Sequence, residues 1–432
     1  MRVRSRRAFL QSALTLGGAA LAGAEVLAVQ RGAPPQPSRP GTRPAPAPKT
    51  KTLRDRFPDL SRHFVFEYYP WYATEPFRHW NDSGRRPPVD IASNYMPKLG
   101  AYNSASLAVM EQHAKWIRAS GAGAINVSWW GPDSDTDRLI SPLMDVMAAH
   151  DIKVAFHLEP YRDHRAPAYA ADIEYLIRKY GDARKWDAFL VLRHEDGATG
   201  PVFKSFGTIL PATSTDCHGE TKAIGAFTED AAWRDQTDRV RATFVNQFRG
   251  LTLLADSLDI GRTRAGGFDG IAIYDNYVRP ASWRAHAEAC AARELVFSFN
   301  VNPGFDGVAD RRTPPPSCYT APKFEPSGAA YDWTAPADRA FATRASDNRI
   351  SESFQTTIGL QTDPALTNTK KGFFLVYLNS FNEWHEGHQF EPMKDWAELT
   401  PEERANGYHN AEDGGYRMKA LTQLLAGVLG SQ

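Results

Sequence analysis

Glu383 and Glu386 stand three residues apart in Ser380-Phe381-Asn382-Glu383-Trp384-His385-Glu386-Gly387, with an indole and an imidazole between them. Glycosidic cleavage asks for such a set: one carboxyl group protonates the departing oxygen, a second works on the sugar, and an aromatic face lies against the ring. The segment follows residues 371–378, an apolar run rich in Phe, Val and Tyr that reads as a buried strand. Both acids therefore leave one strand end together. A polar turn with surface glutamates fits the same local pattern, because strand-to-loop junctions are generally polar.

The elements that must position these acids alternate along the chain. Residues 63–71, 124–130, 152–161, 268–274, 295–301 and 372–380 read as strands, with further candidates at 188–192 and 202–210. Residues 104–120, 137–150, 166–180, 238–258, 280–293, 349–360 and 414–429 carry apolar residues at helical spacing. About eight strand-loop-helix units imply a parallel sheet, and in an α/β body of this length they favour a single (β/α)8 TIM barrel with long βα loops over a doubly wound sheet. No Gly-x-Gly-x-x-Gly follows a strand, which counts against a nucleotide fold.

A barrel requires its chemistry to gather where strands end. The expected ends carry Glu67-Tyr68-Tyr69-Pro70-Trp71-Tyr72, Ser128-Trp129-Trp130-Gly131, His157-Leu158-Glu159-Pro160-Tyr161, Tyr274-Asp275-Asn276-Tyr277 and Asn300-Val301-Asn302-Pro303, besides the Glu383/Glu386 segment. Polar and aromatic loops on one rim describe a sugar cleft. His79-Trp80 belongs to that cleft or clamps its loop. Of the adjacent Trp129 and Trp130, strand alternation lets one pack while the other faces ligand.

Other constellations read as structural. Asp133, Asp135 and Asp137 alternate like a calcium loop, but Arg138 replaces its glycine and Met144 its bidentate glutamate, so they are expected to be capping and solvated acids. His385-Glu386-Gly387-His388 lacks the spacing of the zinc-hydrolase helix, and Asp216-Cys217-His218-Gly219-Glu220 reads as a solvated turn. No metal and no cofactor is expected. The Pro-rich stretch 311–333 is expected to form a long loop overhanging the cleft.

The 432 residues carry 50 basic and 50 acidic side chains, so no net field draws the chain to nucleic acid or an anionic membrane. Three cysteines, Cys217, Cys290 and Cys318, allow at most one internal bridge. Ser5-Arg6-Arg7-Ala8-Phe9-Leu10-Gln11 resembles a twin-arginine export motif, and the following weakly apolar stretch 13–29 is too short and too rich in Gly and Ala for a membrane span. Residues 1–30 are read as a signal peptide cleaved after Ala24 or Ala28, 31–53 as a Pro-rich linker, and 54–432 as the catalytic domain. A monomer in the periplasm or outside the cell, without a stable membrane span after cleavage, is expected.

The strand ends together resemble glycoside hydrolase family 99, the endo-α-mannosidases and endo-α-1,2-mannanases. The resemblance lies in Tyr68-Tyr69-Pro70-Trp71-Tyr72 with His79-Trp80, Ser128-Trp129-Trp130, Phe156-His157-Leu158-Glu159-Pro160-Tyr161, Gly267-Phe268-Asp269-Gly270-Ile271, Asn302-Pro303-Gly304-Phe305 and the 380–387 segment. It implies a (β/α)8 barrel and a retaining, endo-acting hydrolase that works through a 1,2-anhydro sugar. Glu383 would be the base on the sugar's own 2-hydroxyl, and Glu386 the general acid and then base. Tyr69, Trp71, His79, Trp80, Trp130, His157, Glu159, Tyr161, Tyr274, Asn382, Trp384 and His385 would hold the oligosaccharide or polysaccharide substrate. The position aligned with Trp130 bears on the choice between mannose and glucose, with tryptophan leaning toward mannose. Residues 197–235 and 306–346 depart from the family pattern and would shape the outer subsites. The competing expectations are a carbohydrate-binding protein on the same barrel without turnover, and an endo-hydrolase of another polysaccharide.

Overall fold

The computed structural model describes residues 51–162, 165–312, 324–328 and 330–430. The expected signal peptide, nearly all of the linker, Cys318 and residues 313–323 of the expected overhanging loop lie outside the described residues. The first described element is a short helix, Leu53–Arg56, capped by the Thr52 side chain.

Eight parallel strands form the wall: β1 (Phe64–Tyr68), β2 (Ala124–Trp129), β3 (Lys153–Leu158), β4 (Thr199–Ser205), β5 (Thr252–Ala255), β6 (Gly270–Ala272), β7 (Val296–Ser298) and β8 (Val376–Leu378). They run in order around the barrel, with β8 beside β1. The ring closes where the extended chain after β7 meets β8: Val301 N donates to Tyr377 O at 2.8 Å and Asn379 N to Val301 O at 2.8 Å. Each strand is followed by a helix on the outside: α1 (Leu107–Ser120), α2 (Asp135–Ala149), α3 (Ala166–Leu176), α4 (Asp230–Phe244), α5 (Ile260–Ala265), α6 (Pro280–Ala291), α7 (Pro336–Thr362) and α8 (Tyr416–Leu429). The (β/α)8 expectation is met.

Local chemistry explains these elements. In α2 the Ser134 hydroxyl accepts the Asp137 amide at the N-cap, and Ile140, Leu143, Met144 and Met147 bury one stripe at i, i+3, i+4 and i+7. Met110, His113, Ala114 and Ile117 do the same in α1, which stops at Gly121 in the left-handed region, φ 93°. Along β1, Phe64, Phe66 and Tyr68 point toward the helices while Val65 and Glu67 point into the barrel. The barrel floor is apolar, built from Val65, Ala124, Ala155, Val202, Leu254 and Ala272. One pleat higher, the inward positions turn polar and carry the site.

Three sequence expectations need correction. The helix expected over 238–258 ends at Phe244, and its last third is β5. An entirely buried apolar run such as Thr252–Ala255 has no outward polar residues to betray a period of two. The candidate strand at 188–192 is not a stave of its own: Val191–Arg193 pairs antiparallel with β4, and the residues before it meet β3 through a parallel Val154–Phe189 bridge. Asp137 is also not solvated: it is buried and accepts from Trp129 Nε1, Tyr175, Tyr180 and Lys179. Residues 216–220 form the exposed turn between Thr213–Thr215 and Thr221–Ala223, as expected.

Candidate active site

The loop after β8 brings both acids to the C-terminal mouth of the barrel. Its first turn is set by Ser380, whose hydroxyl accepts the Glu383 amide at 2.8 Å and lies 3.1 Å from His388 Nδ1. Glu383 is buried, and its Oε1 accepts from the His385 amide at 3.2 Å and faces His385 Nδ1 at 3.1 Å. The other ring nitrogen, Nε2, donates to the His79 carbonyl at 2.8 Å. Burial alone would disfavour a charged ring, yet the hydrogen bond and charge of Glu383, with Asp82 behind, raise the His385 pKa. Glu383 Oε1 thus meets the amide and the ring of the same residue.

Glu386 has different partners. Its Oε2 accepts from the Tyr274 hydroxyl at 2.6 Å and lies 2.8 Å from His388 Nε2. Tyr274 comes from the end of β6, so Glu386 is held from a different strand end, whereas the partners of Glu383 lie in its own loop. Nearby, burial and then the charges of Asp256 and Glu386 push the Asp275 carboxyl up to about 6.

Beneath the acids lies a buried ionic layer. Glu67 accepts from Lys204 at 2.6 Å and Asn126 at 3.0 Å, and lies 2.9 Å from His157 Nδ1. Burial pushes its pKa up, but the charges and hydrogen bonds of His157 and Lys204 outweigh that and hold it well below the usual carboxylate range. Lys204 also stands 4.6 Å from the Tyr377 ring centre. On the neighbouring wall Ser128 donates to Glu159 at 2.8 Å and accepts from Trp130 Nε1 at 3.0 Å. Trp130 faces the mouth, whereas Trp129 packs outward against Tyr161 and Tyr175.

The structure gathers Trp71, His79, Trp130 and His385 into one aromatic cluster: Trp71 stacks on His79 at 5.0 Å and lies within 6.3 Å of Trp130 and His385. Tyr69 lies behind Trp71, 4.9 Å away. Tyr161 is half-buried on the rim and donates to Asp172 at 2.6 Å. Three residues expected to touch substrate sit elsewhere. Trp80 is buried against Tyr72 and donates to Tyr102 O; Trp384 is buried and donates to Glu391; Asn382 clamps the Tyr69 backbone through N–H and C=O. They support the site from behind. The Asn300 and Asn302 strand ends are likewise scaffolding, with Asn300 bonded to the Ile273 and Tyr274 carbonyls.

The sequence motifs contain Glu67, Ser380 and His388 without a role assigned to them, and Lys204 lies in none of the motifs; inward alternation on β1 and β4 marks Glu67 and Lys204.

Comparison with known proteins accords with this geometry. The family model described as glycosyl hydrolase family 99 matches residues 60–203. The glycoprotein endo-alpha-1,2-mannosidase of Xenopus laevis is 27% identical over 387 residues, covering 81% of this chain and 75% of the relative. That of Mus musculus is 25% identical, covering 80% and 71%. The matched family model and the curated relatives all support glycoside hydrolase family 99 for this chain. A solved family 99 endo-alpha-mannosidase from Bacteroides thetaiotaomicron superposes with a TM-score of 0.59 at 19% identity, covering 85% of this chain and 97% of that one. That likeness confirms the barrel. These relatives indicate a glycosidase.

Proposed function

We propose that this family 99 enzyme is an exported, retaining endo-glycosidase of α-mannosidic linkages that works through a 1,2-anhydro sugar. The observation that carries the reading is the unequal treatment of the two acids. Glu383, tied to an amide and His385, is suited to accept a proton, while Glu386 under the Tyr274 hydroxyl is placed to give one.

In the first step Glu383 takes the proton of the 2-hydroxyl, the 2-oxygen bonds the anomeric carbon, and the bond to the leaving oxygen breaks as Glu386 protonates it. In the second, Glu386 takes a proton from water, the water oxygen bonds the anomeric carbon, and the epoxide opens as Glu383 returns its proton to the 2-oxygen. Two inversions give retention. Trp130 at the mouth supports mannose in the adjoining subsite, as do the mannosidase relatives.

Export through the twin-arginine pathway rests on Arg6-Arg7 and its apolar sequel. Cys217 is disulfide-bonded, which supports an oxidising compartment, the periplasm or the outside of the cell. Among the described residues no helix is long and apolar enough to cross a membrane. The testing experiment is incubation with a panel of α-mannans and other polysaccharides, with products sized. Internal cleavage of an α-mannan is expected; fragments from a different polysaccharide alone would overturn the substrate.

A further inference from the structure

We infer that the rim of the cleft holds a site for a zinc-like divalent cation, made by His79, Asp82 and His385, and that its occupation restrains Glu383. His79 Nδ1 lies 3.3 Å from Asp82 Oδ2, and His385 Nε2 lies 3.8 Å from that same oxygen. One donor atom from each of the three falls within 4.8 Å of the others. Zinc bound by imidazole nitrogens and a carboxylate at about 2.0–2.2 Å sets its ligands roughly 3.3 Å apart, so the His79–Asp82 edge already fits and His385 needs a small ring rotation. Two imidazoles and one carboxylate suit a borderline-soft cation better than magnesium or calcium. All three are partly exposed, leaving a coordination position open to water.

Local structure supports the donor set. His79 adopts the left-handed region at φ 64°, where a non-glycine residue is uncommon and is kept by surrounding contacts. That backbone turn brings the ring over Asp82, three residues on, and Trp71 stacks on it at 5.0 Å to fix its plane. The cation would replace the bond from His385 Nε2 to the His79 carbonyl, which keeps a second donor in the Asp82 amide at 3.4 Å.

The chemistry couples to Glu383 directly. With the metal on Nε2, the His385 proton sits on Nδ1 and points at Glu383 Oε1, 3.1 Å away. Glu383 then faces a divalent charge through a polarised donor and is a weaker base. Inhibition therefore rests on the base assignment above, but binding does not.

The test is isothermal titration of zinc into the purified protein, wild type beside His79→Ala and Asp82→Ala, with folding checked by circular dichroism. One saturable site is expected, weakened at least about tenfold in each variant. No saturable site, or unchanged affinity in both variants, would overturn the proposal; unchanged affinity would place zinc on another pair such as His150 with Glu111. In parallel, zinc should suppress glycan cleavage over the concentration range in which the calorimetric site fills, and EDTA should restore it. Binding with undiminished cleavage would overturn the link to Glu383. Should no glycan be cleaved at all, the calorimetry still decides the site.

Discussion

The Tyr274 hydroxyl donates to Glu386 Oε2 at 2.6 Å, an oxygen that also lies 2.8 Å from His388 Nε2, so under the proposed acid role the delivered proton is expected on the other oxygen. Tyr274→Phe removes this orientation while keeping the ring beside Lys204. A hydrogen bond to a charged group contributes about 1.5–3 kcal/mol, and kcat should fall roughly ten- to hundredfold with KM little changed. Steady-state kinetics on a defined oligosaccharide checks this; a rise in KM alone would make Tyr274 a binding residue.

Glu386→Gln should slow substrates with poor leaving groups far more than those with an activated aryl group, which departs with little protonation. The comparison is single-turnover glycosylation on both substrate types. Equal losses would remove Glu386 from the acid role.

If the sugar's 2-oxygen is the attacking atom, a 2-deoxy or 2-fluoro analogue at the cleaved residue cannot form the epoxide, and turnover should be undetectable. An ordinary nucleophile at Glu383 would instead accumulate a glycosyl ester. Intact-protein mass spectrometry after exposure to the 2-fluoro analogue should show no adduct. A stable mass increase localised to Glu383 would sink the 1,2-anhydro route.

Glu67→Gln should destabilise the fold by about 3–5 kcal/mol, because Lys204 and His157 would be left in the barrel without their counter-charge. Urea denaturation measures it. The sign with pH follows from the depressed Glu67 pKa: its contribution is present above the ordinary carboxylate range and is lost as acid protonates the folded state. The variant should therefore show a flatter acid limb of stability than the wild type.

Asp275 carries the opposite sign. Its folded pKa, pushed up to about 6, lies above the unfolded value, so the folded state binds more protons in between and stability declines as pH rises through that window. Asp275→Asn should remove the decline, gaining at most about 3 kcal/mol relative to wild type above it. Thermal melts from pH 4 to 8 decide; parallel curves would mean Asp275 does not titrate there.

The barrel was legible because its rules are local. Apolar runs bounded by turns and helices with i, i+3, i+4 stripes can be read residue by residue, and β1, β2, β3 and α2 lie where their patterns put them. The exception, β5, failed because complete burial erases periodicity. The acids were legible too, since Glu383 and Glu386 follow a strand and a barrel places strand ends at its mouth.

The sequence by itself determined the fold and put the Glu383/Glu386 segment at a strand end on the barrel's mouth. It could not say which polar strand-end residues face the cleft and which brace it, for Trp80, Trp384 and Asn382 are indistinguishable from Trp71 and Trp130 by type and spacing. Only the tertiary structure made that division, because it depends on side chains from distant strands meeting across the barrel. Glu67 meets Lys204 137 residues away, and Tyr274 meets Glu386 across 112 residues. A hydrogen bond of that kind is a fact of closure, and no linear pattern encodes the angle at which two strand ends converge.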